Sequence, residues 1–214
     1  MFELTKRELI ESIIVFIVLS ICFAISNTRF DANAFISILP IVMIGVGLGS
    51  ILHEFGHKFV AMKYGYRSEF KLWPIGLLIA FVTSFFGIVI SVAGEARIFA
   101  DDDISDEIQG RISIAGPMFN IALALIFIVI AALIYPFNVH SDIFHLIYLI
   151  CTVGFSVNSF LATFNLLPLY TLDGTKVLKW NAIYWIAAFA ISAGMMLISI
   201  TIGPEKMVML FMGG

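Results

Sequence analysis

Charge is scarce in this chain: only 13% of its 214 residues are Asp, Glu, Lys or Arg, about half the share found in ordinary soluble domains. Hydrophobic residues make up 61%. So little charge excludes three classes of protein: a soluble globule, a solvated disordered chain and a nucleic-acid binder with a basic face. The net charge of −3 indicates no charged partner. The composition is that of an integral membrane protein.

Cysteine is nearly absent, and the sequence has no internal repeats or low-complexity segments. The two cysteines, Cys22 and Cys151, both lie inside apolar runs. A thiol in such a run behaves as a small hydrophobic group, so no disulfide framework is expected. Because no region differs in composition from the rest, residues 1–214 are predicted to form one membrane-embedded domain.

Six uncharged stretches approach the length of about 20 apolar residues that crosses a bilayer: 12–26, 34–52 (which continues apolar to about 62), 72–94, 112–139, 143–172 and 180–204. If all six crossed, with the N-terminus in the cytosol, Lys and Arg would divide six inside and five outside. If 72–94 instead enters and leaves on one side, they divide nine inside and two outside, leaving out Lys58 within a span. Because cytosolic loops are rich in Lys and Arg, we predict an all-α polytopic membrane protein with five transmembrane helices and one re-entrant element.

The re-entrant segment 72–94 is predicted to be hairpin-like. Phe, Val, Thr and Ile are frequent in its second half, a composition that favours extended backbone, and Gly and Pro interrupt the segment at Pro74, Gly76, Gly87 and Gly94. Non-helical backbone at membrane depth must be covered by protein or line a water-filled cavity, so we expect this segment beside a polar site. The polar connection 95–111 that follows is expected to be a solvated loop.

One polar motif lies inside an apolar stretch: His53-Glu54-Phe55-Gly56-His57. On a helix, histidines four residues apart project from one face and suit one zinc ion, while the glutamate can act as a general base. With four histidines and eight glutamates in the chain, only about 0.003 such motifs are expected by chance. If Lys63 marks the cytosolic interface, His57 and His53 lie about 9 and 15 Å below it. The metal is therefore expected inside the bilayer near the cytosolic face.

A catalytic zinc ion needs a third protein ligand and an open position. The histidines His140 and His145 fall at the far end of their predicted helix, too distant to contribute. Asp173 ends a long uncharged stretch at the cytosolic end and precedes Gly174. From the residues alone, Asp173 is equally compatible with a metal ligand and with a helix cap or turn residue.

The order of two motifs resembles the site-2 protease family of intramembrane zinc metalloproteases: H-E-x-x-H at 53–57, then Asn165-x-x-Pro168-x-x-x-x-Asp173-Gly174. The similarity extends over about residues 34–180. It implies one zinc ion per chain held by His53, His57 and Asp173, with Glu54 as the catalytic base and Asn165 near the scissile peptide bond. It also implies a membrane-embedded β-hairpin that fits 72–94. No PDZ or regulatory domain is expected beside the metalloprotease domain.

Further polar residues lie within the spans. Gly116-Pro117-x-x-Asn120 is similar to a packing motif of that family. Asn120 and Asn158 are expected to join helices by hydrogen bonds, the usual role of intramembrane asparagine.

The predicted function is hydrolysis of a peptide bond within or near the transmembrane segment of a membrane-protein substrate, as in regulated intramembrane proteolysis. Its partners would be that substrate and the lipid bilayer, with no nucleic acid. Two alternatives stay open: a zinc transporter and a non-catalytic scaffold that binds membrane proteins. A transporter normally has polar groups along a path through the membrane, whereas the outer halves of the spans are almost wholly apolar. A scaffold would tolerate the loss of Glu54, which is present.

Overall fold

The computed structural model describes residues 5–29, 31–90, 93–99, 103–169 and 172–212. Along the chain, the elements are α1 (Lys6–Thr28), α2 (Ala32–Lys63), β1 (Arg67–Leu72), α3 (Pro74–Ser84), β2 (Gly94–Phe99), α4 (Asp106–Ile134), α5 (Asp142–Asn165), α6 (Asp173–Trp180), α7 (Ala182–Thr201) and α8 (Pro204–Phe211). Within the described residues, five helices are long and apolar enough to cross a membrane, namely α1, α2, α4, α5 and α7. The predicted all-α polytopic fold is confirmed.

Polar caps mark where the spanning helices begin. Thr5 and Glu8 form a capping box at the start of α1, in which each side chain accepts a hydrogen bond from the other residue's backbone N–H. Single side-chain caps precede α2, α4 and α7, at Asp31, Ser105 and Asn181. A cap satisfies backbone N–H groups that have no partner inside the helix, so each one defines the start of a span.

The core has two apolar clusters. One is built mainly from α4 and α5, with Ala188 and Met195 of α7. The other is built from α1, α2 and α3, with Val157 and Leu161 of α5. Helix α2 packs against α1, α4 and α5. The two histidines of the motif at 53–57 lie on a buried part of this helix.

Residues 72–94 begin and end side by side. The strands β1 and β2 are antiparallel, with Leu72 opposite Gly94 and Arg67 opposite Phe99. Trp73 N extends the pairing by donating to Ala93 O at 2.9 Å. The segment between the strands thus enters and leaves at the same end of the molecule, as a re-entrant element must.

The conformation inside this segment differs from the extended backbone that its composition predicted. Pro74–Ser84 forms helix α3, and the two strands flank the segment at its ends. Pro74 occupies the first helical turn, where its missing N–H costs nothing. A helix also satisfies its backbone hydrogen bonds internally, which apolar surroundings favour over unpaired strand. Residues 91 and 92 lie outside the described residues.

The prediction that 95–111 is a solvated loop is wrong over most of this range. Gly94–Phe99 is strand β2, and α4 already begins at Asp106. Pairing with β1 supplies the backbone hydrogen bonds that a polar segment would otherwise make with water. Between β2 and α4, the described residues without regular structure are 103–105. Residues 100–102 lie outside the described residues.

Candidate metal centre

Three potential ligand atoms converge between α2 and the start of α6. The Nε2 atoms of His53 and His57 are 3.0 Å apart. The Asp173 Oδ2 atom lies 3.3 Å from His53 Nε2 and 3.2 Å from His57 Nε2. Both histidines are buried, and the Asp173 side chain is 12% exposed.

These separations fit a zinc ion. Three ligands at 2.0–2.1 Å from a tetrahedral metal lie about 3.3 Å from one another, close to the distances between these atoms. Two imidazole nitrogens and one carboxylate also match the ligand types of catalytic zinc sites, which leave the fourth position open.

Both imidazoles are held by their other ring nitrogen. His57 Nδ1 lies 2.9 Å from the backbone carbonyl of Ile112, which can only accept, so Nδ1 carries the proton. His53 Nδ1 lies 2.6 Å from the Asn120 Oδ1 atom. Bonds of this kind orient the ring and leave Nε2 with the lone pair that a metal requires.

The position of Asp173 depends on the turn after α5. Gly174 packs against the backbone carbonyl of Leu166, where any Cβ atom would collide with it. Trp185 Nε1 donates to the same carbonyl at 2.7 Å, so this turn is tied to α7 as well. The turn thereby holds the Asp173 carboxylate against the Nε2 atoms of both histidines.

Gly116 of α4 leaves room beside the two histidines. A Cβ atom at this position would lie 2.5 Å from His57 Nε2 and 2.7 Å from His53 Nε2. A side chain there would take up space next to both nitrogen atoms. The cradle formed by this glycine is therefore a second observation that fits a metal ion between the histidines.

A cavity of about 340 Å³ adjoins these atoms. All five residues predicted from the sequence line it: His53, Glu54, His57, Asn165 and Asp173. Its other walls come from α1 and from both strands, including Ser68, Phe70, Gly94 and Ala96. The re-entrant segment therefore emerges beside a polar site, as its composition predicted.

The predicted residues do not all make the same contacts. The Asn165 amide donates to Leu161 O, one turn back on α5, at 2.9 Å, and the residue lines the cavity. His145 lies on α5 twenty residues before Asn165, about 30 Å away along the helix. Its exclusion as a ligand agrees with this placement.

Two parts of the site were missed by sequence reasoning. Asn120, interpreted as a helix-joining residue, also contacts His53. The buried ion pair of Lys58 with Glu8, at 2.9 Å, forms part of the cavity wall. The available signals were the spacing of Asn120 after Gly116 and a lysine inside an apolar span, which needs a partner.

Known proteins are similar to this chain over most of its length. The profile described as peptidase family M50 matches residues 41–153. A Methanocaldococcus jannaschii protein, provisionally named a zinc metalloprotease, is 40% identical over 185 residues, covering 86% of this chain and 90% of the relative. A zinc metalloprotease of the same organism is 28% identical over 173 residues, covering 80% of this chain and 41% of the relative.

A more distant relative comes from Bacillus subtilis and is also provisionally named a zinc metalloprotease. It is 26% identical over 163 residues, covering 67% of this chain and 70% of the relative. No solved structure matches this chain significantly.

Proposed function

The chain belongs to peptidase family M50, the site-2 protease family of zinc metalloproteases, and we propose that it cleaves its substrates within or near their transmembrane segments. The observation that carries this proposal is the convergence of three ligand atoms beside a cavity, two of them on the spanning helix α2 and the third at the start of α6. A peptide bond must reach the ligand atoms through that cavity.

The proposed metal ligands are His53, His57 and Asp173, holding one zinc ion per chain. Zinc, when bound there, supplies Lewis acidity that polarises the scissile carbonyl and makes water acidic enough to attack near neutral pH. The remaining chemistry is assigned to this chain's own side chains.

Glu54 is the proposed general base. It follows His53 on α2, one position off the row that carries both histidines, and it lines the cavity. Its carboxylate is thus free to accept the proton of the attacking water as the new C–O bond forms. When the C–N bond breaks, Glu54 delivers that proton to the leaving amine nitrogen.

Asn165 is the proposed partner of the substrate backbone. It ends α5 and lines the same cavity as the residues of α2. Its amide can donate to the oxygen of the reacting carbonyl, on which negative charge develops.

The substrate segment must unwind before it is cut, because a helix shields its peptide bonds with its own hydrogen bonds. We propose that the unwound segment adds to the outer edge of β2. Phe70 N and Leu72 N donate to Glu8 and Glu11 of α1, at 3.1 and 2.8 Å, so the outer edge of β1 is already occupied.

The geometry of the strand pair supports the choice of β2. In an antiparallel pair, alternate residues turn their backbone groups to the partner strand and to the outer edge. Phe70 and Leu72 face outward, so their opposite residues, Ala96 and Gly94, face the outer edge of β2. Both line the cavity, and an extended peptide paired with them lies beside the proposed zinc ligands.

We place the site near the cytosolic face. The charge distribution puts the C-terminus of α2 and the connection between β2 and α4 in the cytosol. His57 lies six residues before the end of α2 at Lys63, which is about 9 Å of helix.

The test uses purified full-length protein in liposomes with a panel of single-span membrane segments, each placed between two soluble tags. We expect zinc-dependent cleavage by the unaltered chain. Glu54→Gln should retain one zinc ion per chain and lose nearly all cleavage, whereas Asp173→Ala should lose both. Wild-type cleavage by Glu54→Gln would overturn the mechanism, and full zinc content in Asp173→Ala would remove Asp173 from the site. Zinc uptake into the liposomes without any cleavage would favour a transporter instead.

The substrate itself can be found by comparing membrane proteomes. Cells carrying the active chain and cells carrying Glu54→Gln should differ in the full-length and cleaved forms of a small set of membrane proteins. Identical proteomes would count against proteolysis as the function.

A further inference from the structure

We propose that Asn120 is a positioning residue for the metal centre: it sets which nitrogen of His53 carries the proton, and Asn158 in turn holds Asn120 in the orientation that does so. This inference rests on the proposed zinc site. It gives Asn120 and Asn158 a role beyond the joining of helices that the sequence predicts for them. Both are completely buried, at 0% exposure, so water does not replace any of their hydrogen bonds.

The orientation of the Asn158 amide follows from its donors. Its Nδ2 donates to Gly154 O at 2.9 Å and to Gly45 O at 3.2 Å. An amide nitrogen has two hydrogens, and both are used on backbone carbonyls of α5 and α2. The Asn158 Oδ1 atom therefore points the other way, towards Asn120.

The orientation of Asn120 follows in turn. Its Nδ2 donates to Asn158 Oδ1 at 3.0 Å and to Gly49 O at 3.1 Å, which again uses both hydrogens. Flipping this amide would place its oxygen against two oxygens that can only accept. Asn120 Oδ1 must therefore face His53 Nδ1, at 2.6 Å.

The consequence is a single tautomer of His53. An amide oxygen only accepts, so His53 Nδ1 must carry the proton. The lone pair is left on Nε2, the atom 3.3 Å from Asp173 Oδ2. The chain of hydrogen bonds that starts at the accepting carbonyls of Gly45 and Gly154 and runs through two asparagines thus prepares one metal ligand before the metal arrives.

Helix packing does not account for this arrangement by itself. The bonds from Asn120 Nδ2 join α4 to α2 and α5, as an intramembrane asparagine usually does. The bond from Oδ1 to His53 joins nothing further, because α2 is already held by the bond to Gly49. The two ends of the Asn120 amide therefore have separate roles, and substitutions can separate them.

The experiment measures zinc affinity by competition with a chromogenic chelator, using purified full-length protein in detergent. Asn120→Leu and the smaller Asn120→Ala remove the acceptor and should weaken zinc binding about 10–100-fold. Asn120→Asp keeps an acceptor towards His53 but loses both donors. It should unfold more easily than the unaltered chain yet bind zinc within about threefold of it, because the bond to the ligand remains.

A matched control removes a helix-joining hydrogen bond elsewhere. Ser199 donates to Ser156 at 2.7 Å between α7 and α5, so Ser199→Ala tests the effect of lost packing alone. It should leave zinc affinity unchanged. Substituting Co²⁺ for zinc adds a spectroscopic readout: the visible absorption bands should change in Asn120→Leu and not in Ser199→Ala.

Two results would overturn the proposal. Asn120→Leu or Asn120→Ala with native zinc affinity would reduce Asn120 to helix packing. Asn120→Asp binding zinc as weakly as Asn120→Ala would show that the acceptor is not what matters; this comparison decides the question even if Asn120→Leu does not fold. Absence of zinc binding in the unaltered chain would instead overturn the proposed metal centre, and the two failures are thereby distinguished.

Discussion

The ammonium group of Lys58 contacts both carboxylate oxygens of Glu8, at 2.9 and 3.1 Å, inside the wall of the candidate site. Lys58 directly follows His57 on α2, whereas Glu8 lies on α1 and also accepts from Phe70 N of β1. This pair therefore connects the helix that carries the histidines to the first helix and to the strands that we propose to receive the substrate.

Removing one member of the pair should destabilise the fold. Lys58→Met leaves a buried carboxylate without its ammonium group, which costs about 3–5 kcal/mol of unfolding free energy. The double variant Glu8→Gln with Lys58→Met leaves no unpaired charge and should recover part of that loss. Unfolding of purified protein by SDS measures both. Lys63→Met, at the exposed end of the same helix, is the control and should change little. Equal stability of the single and double variants would contradict the prediction.

A methyl group at position 116 should displace the metal. Gly116→Ala would place a carbon atom within 2.7 Å of both histidine Nε2 atoms, so we expect strongly reduced zinc content in a chain that still folds. Gly194→Ala is the matched control, because a Cβ atom there meets nothing within 4 Å. Zinc analysis of the two purified variants is the measurement. Full zinc occupancy in Gly116→Ala would mean that the ion does not lie in front of these nitrogens.

Loss of the Asn165 amide should affect the reaction rate and leave the metal in place. Asn165→Ala is expected to keep zinc and to lower kcat about 10²–10³-fold, the range for removal of one oxyanion donor. Asn27→Ala is the control. It removes the same kind of local bond, in which a side-chain amide donates to a carbonyl one helical turn back, but Asn27 lies near the C-terminal end of α1, so this change should leave the rate unchanged. Asn165→Ala with an unchanged kcat would remove this residue from the proposed chemistry.

The proposed orientation in the membrane can be tested by labelling introduced cysteines. Both native cysteines are buried, so their background reaction should be low. With the nine-to-two charge distribution, Asp103→Cys should be protected in intact cells from a reagent that cannot cross the membrane. Lys206→Cys, on α8, should react. Labelling of Asp103→Cys from outside would place the connection between β2 and α4 on the other face and overturn the proposed topology.

The spans and the histidine pair could be predicted from the sequence because both are local properties. A run of about 20 uncharged residues marks a candidate span wherever it lies, and the distribution of Lys and Arg selects the runs that cross. His53 and His57 are one helical turn apart, so their common face follows from the helix alone. Asp173 lies more than one hundred residues further on, and only its motif context singled it out from a turn residue.

The secondary structure of the re-entrant segment could not be predicted from the local sequence. Composition favoured extended backbone in the second half of the segment, but residues 81–84 belong to α3, residues 85–90 form no strand, and the strands that pair flank the segment. β-Structure depends on what a strand pairs with, and the partner of β1 follows more than twenty residues later.

The sequence by itself determined that this chain is a membrane protein with five spanning helices and a paired histidine site. Apolar length and helical spacing act within one segment, and the distribution of Lys and Arg distinguishes 72–94 from the spans. Only the tertiary structure decided that Asp173 closes on the histidines, that Gly116 leaves space beside them and that Asn120 holds His53. Each of these contacts joins helices distant in sequence, and the packing of α2 and α6 against α4 brings them together.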